Sequence, residues 1–374
     1  MSNTSGSLTD TQTVKDHWSQ KAQQEDLERR KYVDWMNHPF IDKFYINRQI
    51  SKNPEENWLV YVNKNYVPVT LDLGLTLGCG NGGLERHALS LGMCRQFEAF
   101  DIAEGAIDVA RDLAVKEGID SQVKYEVMNI NQIFLEPDKY DIVFASMSAH
   151  HFSELEHIYN QVRTALKPNG FFVLNEYVGP TQFQWTDEQL AIINDLLTIL
   201  PDKYREYISL PGQIKQSVWK LTIDEMNNID PSEAIRSAEV LPLLKQYFSI
   251  VERIDYGGTI LHQLMQDIVG NFALDKEQDI ALLNLICYLE ETLIKKKVIP
   301  SDFALIIAQN NQQEQTALVN STASNEDKNM ISNRQNYHDE TFFDVSSKQL
   351  AQQIAMRKLI KAILHKIMNK FEAK

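Results

Sequence analysis

The residues best suited to chemistry begin with a run of glycines, Gly78-Cys79-Gly80-Asn81-Gly82-Gly83, between an apolar stretch and an amphipathic one. Glycine lets the backbone turn sharply and come close to a ligand. The unpaired N–H groups of a helix that follows such a loop favour an electronegative partner. Asp101 stands about 20 residues on, where an acceptor-only carboxylate can receive hydrogen bonds from ribose hydroxyls. Further along come a histidine pair, His150-His151, and Glu176. Histidine is the usual general base near neutral pH, so the pair suits removal of a proton from an acceptor, with His151 slightly favoured over His150. Glu176 would orient a substrate hydroxyl or a histidine. Structural readings compete with each of these. Ser153 and Glu156 have the spacing of a capping box, which explains part of the histidine segment as helix punctuation. Glu176 reads equally well as a solvated carboxylate at a strand end. Cys79 has no legible histidine partner and is a loop residue, not a nucleophile. His262, after Tyr256-Gly257-Gly258, is a helix residue first. His150 and His151 are adjacent and lack a partner at i+4, so no metal set is expected.

The elements that must hold these residues follow from hydrophobic periodicity. Val67–Leu77, Phe97–Phe100, Val123–Met128, Ile142–Ala145 and Phe171–Leu174 read as strands, with helices at Leu84–Leu91, Ile107–Glu117 and Glu154–Leu166. Such alternation predicts an α/β fold with a parallel sheet covered on both faces. Residues 1–65 form an N-terminal helical region: 1–14 are polar and read as disordered, and Val14–Ile50 reads as helix broken at Pro39. Trp18, Trp35 and His38 there read as core residues first and as a lid second. The main domain spans 66–308 and carries a helical insertion over 179–247, with helices at Thr186–Tyr207 and Ser232–Phe248. Strands at Ile250–Tyr256 and Phe303–Ala308 close the sheet, with a helix at Lys276–Lys297 between them.

Composition excludes several classes. The chain has 374 residues and a formal net charge of -14, which argues against a nucleic-acid binder that relies on its overall field. Three cysteines without paired spacing fit a reducing compartment. No secretory or membrane-spanning signal is legible, so a cytoplasmic location is expected. Residues 309–341, rich in Asn, Gln, Ser and acids, read as a flexible linker. Residues 342–374 read as a basic amphipathic helix, its bases concentrated from Lys348 on. That pattern suits peripheral contact with a membrane or a protein through 346–374, or packing on the acidic body.

The glycine run fits both the G-x-G-x-x-G of dinucleotide binders and the G-x-G-x-G of methyltransferases. The downstream segments separate them. Tyr140–Ser146 with His150-His151-Phe152, Met128-Asn129-Ile130-Asn131, and Ala165–Leu174 around Lys167-Pro168-Asn169-Gly170 resemble, in order and spacing, the motifs of class I S-adenosylmethionine-dependent methyltransferases. The resemblance covers residues 66–177 well and reaches loosely to Ala308. It implies a Rossmann-like seven-stranded, mostly parallel sheet with an antiparallel last strand, and S-adenosylmethionine as cofactor. By it, Gly78, Cys79, Gly80, Asn81 and Gly82 approach the methionine part, and Asp101 takes the ribose. Ile102 packs on the adenine face, Asn129 and Ile130 address its edge, and Ser146 with Met147 lines the floor. The family usually has an acid where this chain has Thr76, and often Asp where it has Asn129. Glu176–Pro180 and Asp230–Ala234 resemble bacterial methyltransferases of glycan assembly, which implies O-methylation of a sugar or glycan hydroxyl. A lipid or secondary metabolite is the second acceptor class. A nicotinamide-dependent oxidoreductase and a non-catalytic cofactor-binding module stay open as other readings.

Overall fold

The computed structural model describes residues 12–19 and 33–310. Seven strands form one sheet: β1 (Leu71–Leu77), β2 (Cys94–Asp101), β3 (Val123–Val127), β4 (Tyr140–Ser146), β5 (Leu166–Tyr177), β6 (Ser249–Gly257) and β7 (Phe303–Gln309). Their order is β3-β2-β1-β4-β5-β7-β6, parallel from β1 to β5, with β7 antiparallel to both of its neighbours. This is the Rossmann-like class implied by the motifs. The β7 run Phe303–Ala308 is buried throughout, as an interior strand covered on both faces requires. The strand order reverses between β1 and β4. In open α/β sheets the crevice for a ligand lies at such a point, beyond the carboxyl ends of the strands.

Helices cover the sheet because their apolar residues recur at helical spacing. In α1 (Leu155–Ala165), Leu155, Ile158, Tyr159 and Val162 make one buried stripe. It packs with α2 (Ser237–Tyr247) of the insertion, and the Tyr159 hydroxyl donates to the Val240 carbonyl at 3.0 Å.

Several boundaries differ from the periodicity reading, each for a physical reason. Pro39 opens a helical run to Ile50 instead of breaking one, since a proline in the first turn forfeits no hydrogen bond. The first strand starts at Leu71, not Val67. The helix expected over Thr186–Tyr207 stops at Ile199 and resumes at Asp202–Arg205, divided by Pro201. The one expected from Ser232 begins at Ser237. The capping box is absent. Asn131 Oδ1 instead accepts from the Ser153 and Glu154 amides at 2.9 and 3.1 Å, and Glu156 turns to Arg236. Gln309 ends β7, and Asn310 donates to the Gly170 carbonyl at 3.0 Å, so neither belongs to a linker. The rest of the expected linker and the basic helix over 342–374 lie outside the described residues. Among the described residues no helix is long and apolar enough to cross a membrane.

Candidate active site

β1 ends at the glycine loop. Gly78, Gly80 and Gly82 all have positive φ, at 73°, 53° and 74°. A Cβ on Gly78 would lie 2.5 Å from the Ser148 Cβ, so this turn and the segment after β4 fit only without a side chain. At Gly80 a Cβ would meet nothing within 4 Å, because that residue faces an open cleft. Asp101, at the end of β2, secures the loop: its Oδ2 accepts from the Gly80 amide at 2.8 Å and its Oδ1 from the Ala103 amide at 2.9 Å. Each carboxylate oxygen keeps lone-pair capacity for a further donor.

The cleft has a volume of about 800 Å³. Its wall contains Gly78, Cys79, Gly80, Asn81, Asp101, Ile102, Asn129, Ile130, Ser146 and His151, so ten of the expected site residues meet around one cavity. Of the expected residues, His150 and Glu176 lie outside that wall, and so does Gly82. Its amide closes the loop turn on the Cys79 carbonyl at 3.0 Å. Burial raises the Cys79 thiol well above its ordinary pKa, which keeps it neutral and unreactive. Asn129 Oδ1 accepts from the Asn131 amide at 3.1 Å, leaving its amide nitrogen for another partner. Trp18, on the helical segment 12–19, also lines the cleft and meets the His151 ring edge-on at 5.1 Å. Trp35 and His38 do not. Trp35 packs on Phe303, and His38 Nε2 lies 2.9 Å from the Phe272 carbonyl, both buried.

The chain leaves β4 through Met147, whose φ of 52° is a strained left-handed value for a residue with a side chain. That turn aims the Ser148 and Ala149 amides at Glu176 Oε2, at 2.9 and 2.6 Å. Glu176 Oε1 accepts from the Tyr177 amide at 2.7 Å and pairs with His150 Nδ1. Glu176 is fully buried and so is not the solvated strand-end residue that its position allowed. Burial works to lower the His150 pKa, but Glu176 first, then Glu233 and Asp230, hold it above the ordinary histidine value.

The His150 and His151 rings are tilted by 42° to each other with centroids 4.1 Å apart. His151 Nδ1 lies 3.2 Å from the Ser232 carbonyl and 3.1 Å from its hydroxyl, and His150 Nε2 lies 3.6 Å from Glu233 Oε1. Sequence reading missed Ser232 and Glu233 as site residues. Their only signal was membership of the Asp230–Ala234 segment, 81 positions from the histidines. With them, His150, His151 and Glu233 bring possible ligand atoms within 4.8 Å of one another, a set that adjacency along the chain did not foretell. His262 is buried among Tyr177, Phe183, Trp185 and Phe303, and burial lowers its pKa to about 4. It is a neutral interior ring.

Residues 72–238 match a family model described as "Methyltransferase domain". A sterol 24-C-methyltransferase of Candida albicans is 29% identical over 115 residues, 31% of this chain and 30% of that protein. A 27-O-demethylrifamycin SV methyltransferase of Amycolatopsis mediterranei is 26% identical over 106 residues, 28% of this chain and 38% of that protein. This chain thus spans about a third of the length of the curated relatives it matches. A solved structure of geranyl diphosphate methyltransferase with GPP and sinefungin aligns at TM-score 0.42 and 15% identity, covering 68% of this chain and 77% of that one. Residues 72–238 are thus similar to a methyltransferase domain, and they bring the glycine loop and Asp101 to one cleft of a Rossmann-like sheet.

Proposed function

We propose that this chain methylates a small-molecule acceptor, with His150 as the base and Glu176 as the residue that positions it. The observation that carries this reading is the His150–Glu176 pair behind the glycine-loop cleft. A buried carboxylate that accepts a hydrogen bond from the Nδ1–H fixes the tautomer and leaves Nε2 as the acceptor. When bound, S-adenosylmethionine supplies an already activated methyl group for in-line displacement, so alignment contributes much of the rate. His150 Nε2 takes the acceptor's O–H or C–H proton as that atom forms its bond to the methyl carbon. The electrons of the breaking carbon–sulfur bond stay on sulfur. The 3.6 Å between Nε2 and Glu233 Oε1 is too long for a hydrogen bond. The choice of His150 rests on its pairing with Glu176; His151, favoured on sequence, lines the cleft edge-on to Trp18 and is the other candidate base.

The relatives' names, a sterol and a rifamycin methyltransferase, favour a lipid or secondary-metabolite acceptor over the sugar hydroxyl. The test is incubation of the full chain with methyl-labelled S-adenosylmethionine and the lipid and aqueous fractions of a cell extract. Label in an organic-soluble product is the expected outcome, and label confined to glycan restores the sugar reading. Titration with NADH and S-adenosylmethionine runs beside it. Binding of NADH alone refutes the proposal, and cofactor binding without any labelled product favours a non-catalytic module.

A further inference from the structure

His150, His151 and Glu233 each bring one possible ligand atom within 4.8 Å of the others. His150 Nε2 and Glu233 Oε1 stand 3.6 Å apart, beyond hydrogen-bonding distance. Two ligands held about 2.1 Å from one tetrahedral ion stand about 3.4 Å apart, so this gap has the size that a shared ion spans. The short turn Ala149–His151 keeps the second imidazole beside the first, with centroids 4.1 Å apart.

The groups behind these three suit the same reading. Glu176, fully buried, pairs with His150 Nδ1 and so holds the ring with Nε2 toward Glu233. A ligating histidine is ordinarily oriented in this way, by a carboxylate or carbonyl on its other nitrogen. His151 Nδ1 lies 3.1 Å from the Ser232 hydroxyl and 3.2 Å from its carbonyl, so the turn that supplies Glu233 also steadies the second ring. Asp230 anchors that turn, its Oδ1 accepting from the Ser232 hydroxyl at 2.7 Å and the Ser232 amide at 2.9 Å. Its Oδ2 is buried without a hydrogen-bond partner among the described residues. Glu176, Glu233 and Asp230 all lie near enough to act on His150 electrostatically. Three acids beside two imidazoles favour a divalent ion. His151 lines the cleft, and the Glu233 side chain is 22% exposed, so an ion in solvent can reach the set.

We infer that His150, His151 and Glu233 form a site for a divalent transition ion of the Zn²⁺ type, with Glu176 as the positioning residue behind it. Two imidazoles and one carboxylate suit such an ion better than Mg²⁺ or Ca²⁺, which prefer oxygen ligands. The site stands on this geometry alone. Its effect on turnover rests on the histidine-base reading above. An ion held by His150 Nε2 and a ring nitrogen of His151 takes the lone pairs that both candidate bases need, so the filled site inhibits methyl transfer.

The probe is Zn²⁺ alone, titrated by calorimetry into the full chain after dialysis against a chelator. One ion should bind at this set, and Glu233→Gln and His151→Ala should each weaken it by about tenfold or more. His87→Ala, at a histidine outside the set, should leave it within about twofold. In the labelling assay, Zn²⁺ should suppress product over the concentrations at which it binds, and EDTA should restore it. No binding, or binding that both variants leave unchanged, overturns the site. Binding that the variants weaken but that costs no product overturns the inhibition, and with it the histidine base, a failure distinct from the first.

Discussion

The two sides of the site are built by different means. The side proposed for the cofactor, from β1 to β3, uses backbone: positive-φ glycines, loop amides, and one carboxylate, Asp101, that ties loop to strand end. The side proposed for the acceptor uses side chains gathered from three places, the His150-His151 turn, the end of β5, and the Asp230–Glu233 turn of the insertion. Backbone geometry demands particular residues at close spacing and so leaves a motif. A side-chain cluster asks only that the fold bring its members together, and it can change with the acceptor while the loop stays as it is.

Variants should divide along the same line. His150→Ala should cost turnover about 10²–10⁴-fold while S-adenosylmethionine affinity stays within about twofold, measured by steady-state kinetics and calorimetry. Gly78→Ala should do the reverse. Strain at a φ of 73° plus the Ser148 clash should cost about 1–3 kcal/mol, read as lost cofactor affinity or a lower thermal midpoint. Equal losses in binding and turnover from either variant would erase the division. Glu176→Gln refines it through pH. The wild-type rate should fall as pH drops through a His150 pKa held above the ordinary value, because the protonated ring cannot accept a proton. Removing Glu176 removes the main cause that raises that pKa, so the acid limb should move to lower pH, with kcat down about 10-fold or more. The smallest expected effect is that of a chelator. If His150 serves as base, EDTA should leave kcat unchanged. A rate that falls and returns on adding a divalent ion would make His150, His151 and Glu233 a catalytic metal set instead.

Much of the cofactor side was legible because local rules fix it: glycines at a strand–helix turn, an acid at the next strand end, and the Asn129 segment after β3. The seven-stranded sheet with an antiparallel last strand came with the family resemblance, and the strand order came from the structure. The acceptor side was only half legible. His150 and Glu176 stood out by residue type, but which histidine meets Glu176 depends on the left-handed turn at Met147, which no propensity signals. Glu233 and Ser232 arrive through tertiary packing of the insertion.

Arg236 has a consequence for traffic through the site. Its guanidinium forks to Glu156 and Glu239 and also donates to the Ser153 carbonyl at 2.9 Å, which locks the turn carrying Ser232 and Glu233 onto the helix Leu155–Ala165. Opening on that side would break several contacts together. The helical segment 12–19 meets the same cleft through Val14 and Trp18, whose indole is edge-on to His151. A cofactor that fills the cleft should therefore change the surroundings of that indole, and its emission, with the chain's other four tryptophans replaced by phenylalanine, would time each arrival and departure.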